Sequence, residues 1–295
     1  MVLFSKPRFV ERPWGYSFFK SYFPECPDTP IGEVWLLSGV KDMETPIFSV
    51  DLKENGTNIG DRIEEITGLN LPRFPVLIKL LKAKEWLSVQ LHPEDNIAQN
   101  LAGEPWGKSE FWVVAGIDAG ALLIDGLLKE TEEVMLRKAI DIGDFKTELL
   151  KAVHFEKPAV GDIYEIEAGC VHALGPGVFV LEIQQSSDIT YRLYDWGRDR
   201  PIHIAEAFTS LRWDRLTAKK HTVLHGLKNG LFDFQYQSSN TVSGFCVLLS
   251  PQMFEIDGIK CNPWETVIIP HDSTVTVRGN YFCLSLGDYW RTYNR

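Results

Sequence analysis

Three short stretches of this 295-residue chain gather side chains of the types that bind metal ions. "LSVQLHPED" (87–95) carries Gln90 and His92, "GKSEFW" (107–112) holds Glu110 between a lysine and aromatics, and "EAGCVHALG" (167–175) sets His172 shortly after the turn residue Gly169. Two imidazoles, a carboxylate and an amide oxygen form a donor set that suits zinc and leaves room for water or a substrate oxygen. Imidazole with carboxylate also suits iron, nickel or manganese, so the residue types leave the metal open. Taken singly, each has an ordinary explanation: a lone histidine is more often hydrogen-bonded in a core or at a surface, and a lone glutamate is solvated or paired.

These side chains need elements to bring them together. In an extended chain Ser88, Gln90 and His92 share one face and Leu87, Val89 and Leu91 the other. The stretch therefore predicts a strand with an apolar face toward a core and a polar face toward a cavity, ended at the rim by Pro93. "GEVWLLSG", "ALLIDG", "GDIYEIEAG", "GVFVLEIQQS", "GFCVLLS", "ETVIIP" and "NYFCLSLG" are further short runs rich in Val, Ile, Leu and Phe, separated by Gly, Pro, Asn and Asp. Their spacing predicts a β-sandwich or barrel, not alternating βαβ units. Helices are the minority, expected as insertions near 58–68, 95–103 and 131–153. Within the last, Thr131 is the N-cap candidate for "TEEVMLRKAIDIG" and Asp144 for "DFKTELLKAV". "GLKNG" (226–230) resembles a junction, and the tail beyond it is strand-like without a comparable cluster of ligand-type residues.

Composition narrows the function classes. Hydrophobic content of 44% with 24% charged residues is that of a globular protein. A net charge of −10 and a pI near 5.2 argue against nucleic acid as the main partner, while a local cationic pocket for a phosphorylated small molecule stays compatible. Cys26, Cys170, Cys246, Cys261 and Cys283 are odd in number and form no CxxC pair, which points to reduced thiols and a cytoplasmic protein. No signal-like or membrane-spanning run is present, so no membrane partner is expected.

"GDIYEIEAGCVHALG" is similar to the second histidine motif of the cupins, with Glu167 where a proline often precedes the turn glycine. The first cupin motif usually offers two histidines; here Gln90 replaces one of them. That exchange, together with "LIKLLKAKEWLSVQLHPED", "GKSEFW", "HALGPGVFVLEIQQSSDITYRLYDWGR" and "ERPWGY", resembles the type I phosphomannose isomerases in their short bacterial form, over roughly residues 10–210 and more weakly in the tail.

The resemblance implies a mainly β fold: a cupin jelly-roll barrel with helical insertions over residues 1–230, and a smaller β-rich, cupin-like unit over 231–295. It implies that Gln90, His92, Glu110 and His172 bind one zinc ion, other divalent metals remaining open. Arg192, Lys108 and Glu182 take catalytic positions, and Trp14, Glu33 and Lys79 line the substrate pocket. On the strand around Glu182, Val178, Val180 and Gln184 share its face while Phe179, Leu181 and Ile183 take the other, which allows Glu182 to face a cavity. The implied reaction interconverts D-mannose 6-phosphate and D-fructose 6-phosphate through an enediol. The rival expectations are a non-catalytic carbohydrate-binding or regulatory cupin, and an isomerase of another phosphosugar or of free mannose. His154, His203, His221, His225 and His271 fall outside the motifs and read as structural or surface residues. Arg198 and Arg200 stand near Arg192 and offer charge for binding a phosphate, with ion pairing to Asp195 or Asp199 the competing role.

Overall fold

A computed structural model describes residues 1–49 and 56–293. The apolar runs form strands, and seven of these make one antiparallel sheet in the order Lys219–Thr222, Asp162–Ile166, Glu110–Ile117, Val178–Gln185, Val76–Lys82, Ile31–Leu37 and Arg8–Glu11. Alternation of side chains splits this sheet into two unlike faces. On one, Phe111, Val113, Leu181, Ile183, Ile78, Leu80, Val34 and Leu36 enter a large apolar core. On the other, Glu110, Trp112, Glu182, Lys79, Trp35 and Glu33 stand as cross-strand neighbours, with Glu182 directly opposite both Lys79 and Trp112.

A second layer completes the barrel. Val153–Glu156, Leu123–Leu127 and Ala173–Leu174 form a three-stranded sheet, and Tyr191–Tyr194 pairs with Val89–Leu91. A single antiparallel bridge between Gln90 and His172 ties the two together. The helices Glu133–Asp141, Phe145–Ala152 and Ile204–Ser210 pack on this layer through Leu136, Leu149, Ala207 and Phe208. Sequence periodicity pointed to the first two and passed over the third.

The expected cap at Thr131 is corrected: the helix starts at Glu133 with Glu132 in the extended cap position, because the Thr131 hydroxyl donates to the Ala152 carbonyl. Asp144 does occupy the cap position of its helix, without a capping hydrogen bond from its side chain.

The tail builds a second, ten-stranded sheet around the paired strands Phe232–Ser243 and Thr274–Leu286. "GLKNG" is part of it, since Leu227–Lys228 pairs with Phe232–Ser243. Strands from the other end of the chain join as well: Leu3–Ser5 lies between Thr266–Ile269 and Pro46–Ser49, and Thr57–Asn58 extends the edge. This sheet therefore draws on residues well before 231. Val247, Leu249, Ile268, Phe282 and Leu284 pack in the same core as the apolar face of the seven-stranded sheet. With that face covered, the charged face is left to line the barrel interior.

Candidate active site

The Gln90–His172 bridge fixes two of the donor candidates through their backbones. Gln90 N–H donates to the His172 carbonyl at 3.1 Å and His172 N–H to the Gln90 carbonyl at 2.8 Å. The turn before His172 is equally fixed. Gly169 donates its N–H to the His92 carbonyl at 2.7 Å and sits at φ +86°, where a Cβ would meet Arg212 Cγ at 2.4 Å. Only glycine suits that position.

His92, Glu110 and His172 converge, each almost fully buried, with donor atoms within 4.8 Å of one another. His92 Nε2 lies 3.4 Å and His172 Nε2 3.5 Å from the Glu110 carboxylate. Both rings are anchored from behind: His92 Nδ1 donates to the Ile189 carbonyl at 2.7 Å and His172 Nδ1 to the Cys170 carbonyl at 3.0 Å. A carbonyl can only accept, so each proton sits on Nδ1 and each Nε2 lone pair is turned inward. Burial, reinforced by Lys108, pushes His92 down to about 3. Burial likewise lowers His172, partly opposed by Glu110. The imidazoles are neutral, as metal ligands must be. Burial alone would raise Glu110, but the Lys108 ammonium holds its carboxyl well below the usual range.

Two observations test whether these residues fit a cation. Glu110 Oε1 is buried without a hydrogen-bond partner. In addition, the Lys108 ammonium sits between His92 Nε2, at 2.8 Å, and the Glu110 carboxylate, so a positive centre already satisfies part of the set. The residues fit a divalent ion. Gln90 is adjacent: its Oε1 accepts from the Ser88 hydroxyl at 2.7 Å and its Nε2 lies 3.4 Å from His172 Nε2. Turning the amide over would present its oxygen to the same space, with the Ser88 hydroxyl accepting instead of donating.

Beside this centre opens a cleft of about 320 Å³ whose wall includes Gln90, Lys108, His172, Glu182, Lys79, Glu33, Trp14 and Arg192. His92 and Glu110 lie behind that wall. Lys79 Nζ is 3.1 Å from Glu182 Oε1 and 4.0 Å from Glu33, and Trp112 Nε1 donates to Glu182 Oε2 at 2.9 Å. Burial and then the charge of Glu110 raise Glu182, while Lys79, despite burial, is held charged by Glu182 and Glu33. Glu33 accepts from Arg12 at 2.8 Å and from Trp35 Nε1 at 2.8 Å. Burial opposes its charge, but Lys79 and Arg12 outweigh it and bring Glu33 down to about 2.

Arg192 differs from the other cations of the cleft. Arg12 pairs with Glu33, Lys79 with Glu182, Lys108 with Glu110 and Arg200 with Asp195. Among the described residues, the Arg192 guanidinium has no carboxylate partner, and its buried Nε has no hydrogen-bond partner. His203 holds its backbone from both sides, accepting from Arg192 N–H at 3.2 Å and donating to its carbonyl at 2.8 Å. Arg198 and Arg200 both bind Asp195.

Sequence inspection did not select Arg12, Trp112, Asp188 and Thr190, which also line the cleft. Two signals were available. Trp112 follows Glu110 on the same strand face, and Thr190 precedes Arg192 at the same spacing.

The catalytic-domain model of the type I phosphomannose isomerases matches residues 11–106. The mannose-6-phosphate isomerase ManA of Bacillus subtilis is 32% identical over 237 residues, which is 76% of this chain and 71% of that protein. The chain belongs to the type I phosphomannose isomerases. The crystal structure of the mannose 6-phosphate isomerase from Bacillus subtilis superposes with a TM-score of 0.81 at 24% identity, covering 96% of this chain and 99% of that one. A zinc-bound mannose 6-phosphate isomerase gives 0.71 at 15% identity, covering 97% and 99%. Both share the cupin fold expected from the sequence. As a member of this family the chain is a mannose-6-phosphate isomerase by class, an aldose–ketose isomerase acting on a phosphosugar. No helix among the described residues is long and apolar enough to cross a membrane.

Proposed function

We propose that this enzyme interconverts D-mannose 6-phosphate and D-fructose 6-phosphate through an enediol, with one zinc ion held by His92, Glu110, His172 and Gln90. The observation that carries this is the pair of neutral imidazoles, anchored through Nδ1, whose Nε2 atoms converge on a buried carboxylate at the wall of a cleft. The zinc-bound relative of the same fold supports zinc over the other divalent metals. When bound, the ion supplies Lewis-acid stabilisation of the negative charge that develops on the sugar oxygens.

The chain's own residues do the rest. Arg192, with no internal carboxylate to satisfy, is the cation we assign to the phosphate, and a guanidinium fork suits that group. Glu182 is the proton shuttle: burial and Glu110 raise its carboxyl toward the range where it can both accept and return a proton. Lys79 keeps that carboxylate in place, Glu33 orients Lys79, and Lys108 adds fixed positive charge beside the enediol. Trp14, buried under the Arg200 guanidinium at 5.1 Å, closes one side of the cleft against water. We divide the molecule near residue 230, with Leu3–Ser5, Pro46–Ser49 and Thr57–Asn58 assigned to the tail unit. The five free, buried thiols accord with a reducing compartment such as the cytoplasm.

A coupled assay of mannose 6-phosphate, glucose 6-phosphate and free mannose tests the substrate. Mannose 6-phosphate is expected to exceed free mannose in kcat/KM by on the order of 100-fold, and Arg192→Ala to erase most of that preference. Equal turnover of free mannose, or an unchanged preference in Arg192→Ala, would sink the assignment.

A further inference from the structure

The segment Pro105–Glu110 brings Lys108 and Glu110 to the metal centre, and the barrel is not its only support. Asp95, the first residue of the helix Asp95–Ala102, directs its carboxylate back onto this segment. Its Oδ1 accepts from the Gly107 N–H at 2.8 Å and from Gln185 Nε2 at 3.2 Å, while Gln185 Oε1 accepts from the Ser109 N–H at 2.8 Å. The N–H groups on either side of Lys108 are thus tied to one carboxylate–carboxamide pair. The other oxygen, Oδ2, takes the hydroxyl of Tyr289, 194 residues along the chain in the helix Asp288–Thr292. Gly107 permits this approach, because a Cβ there would stand 2.2 Å from the Pro93 carbonyl oxygen.

We propose that Asp95, Gln185 and Tyr289 form a positioning chain through which the C-terminal helix sets the placement of Lys108 and Glu110. The proposal rests on the roles given to those two residues above. No residue of that helix lines the cleft, so its influence on the cleft passes through the segment Pro105–Glu110, and Asp95 is the hydrogen-bonded route to Lys108 and Glu110. A carboxylate accepting from three donors makes strong, charge-assisted bonds, and partners of this kind fix the direction of groups that bind metal or substrate. A placement error of about 1 Å at a reacting centre is enough to cost up to about 100-fold in rate.

The same helix supplies its own control. Tyr293, the residue that follows its last turn, donates to the Pro105 carbonyl at 2.8 Å, and Trp290 packs edge-on against Trp106 at 4.9 Å. These contacts hold the same helix to the same segment without a hydrogen bond to Asp95. In the zinc-loaded full chain, Tyr289→Phe is expected to lower kcat about 10-fold, leave KM for mannose 6-phosphate within about twofold, and speed zinc loss to a chelator. Asp95→Asn lowers kcat at least as far, and combining the two costs little beyond Asp95→Asn alone, because both break one chain. Tyr289→Phe and Tyr293→Phe lower the melting temperature by similar amounts, but Tyr293→Phe leaves kcat unchanged. Equal kcat in Tyr289→Phe and Tyr293→Phe overturns the positioning chain, as do fully additive losses in the double variant. Lys108→Met in the same assay separates the two levels. If it is inactive while Tyr289→Phe keeps wild-type kcat, the positioning chain alone fails; if it is fully active, the site assignment beneath it fails.

Discussion

The barrel and the tail sheet are built alike, from antiparallel strands with one face on a shared core, yet they bury different things. Around Phe4, Leu248, Ile256, Val267 and Tyr281 the tail packs an apolar cluster, and among the described residues after 230 the buried polar side chains are only Ser250, Thr266 and Ser273. The barrel buries Glu33, Lys79, Lys108, Glu110 and Glu182 with His92 and His172 around one cavity. Each buried ion costs several kcal/mol of lost hydration, offset only when partners are well placed. The barrel meets that cost by pairing Lys79 with Glu182 across neighbouring strands and Lys108 with Glu110 along one segment. The tail carries no such cost, and its apolar packing backs the sheet that does. Stability and chemistry are thus divided between two sheets that touch.

Three substitutions probe this division, from the largest expected effect on turnover to the smallest. His172→Ala should abolish zinc retention and reduce kcat/KM by on the order of 1,000-fold or more, read from metal analysis after dialysis and the coupled assay. Full activity in metal-free His172→Ala protein would refute the centre.

Glu33→Gln should lower kcat/KM about 10-fold, since Arg12 and Lys79 are no longer held. It should also flatten the acid side of the stability curve. Glu33 is depressed to about 2 when folded and has an ordinary value of 4.5 when unfolded. Its ionisation therefore adds stability above about pH 4.5 that is lost as pH falls toward 2, amounting to about 3 kcal/mol. Denaturant melts at pH 6 and pH 2.5 should show a smaller difference for the variant; an identical difference would remove Glu33 from the charge network.

Leu248→Ala, in the tail core, should cost about 3 kcal/mol in a urea melt while leaving kcat per folded molecule unchanged. A tenfold drop in kcat would mean that the tail shapes the cleft more directly than its packing indicates.

Part of this site was legible because local alternation carries it, whereas Lys108, Glu182, Arg192, Trp14, Glu33 and Lys79 were named through the family resemblance. Gln90, His92, Glu182 and the strands holding them follow a two-residue period, and the sheet has only two faces to offer. The turn glycine before His172 was readable for the same local reason. Pairings between distant segments were not. Nothing near Leu3 announces Ile268, and nothing near Glu33 announces Arg12 as its partner, because both contacts are set by the register of strands far apart in sequence. The third helix, Ile204–Ser210, is short and lacks a capping signal, and Thr131 lost its expected role to a competing carbonyl. The Asp95–Tyr289 contact was invisible, being a meeting of two ordinary polar residues.

The pairing of Leu3–Ser5 with Thr266–Ile269 bears on how the polypeptide is made. While the nascent chain is still emerging from the ribosome, that early strand has Pro46–Ser49 beside it on one edge and an open edge on the other, with Leu3 and Phe4 awaiting cover. The missing neighbour exists only once residue 269 has been translated. Chaperone capture during synthesis should therefore persist at least until Thr266–Ile269 has been made.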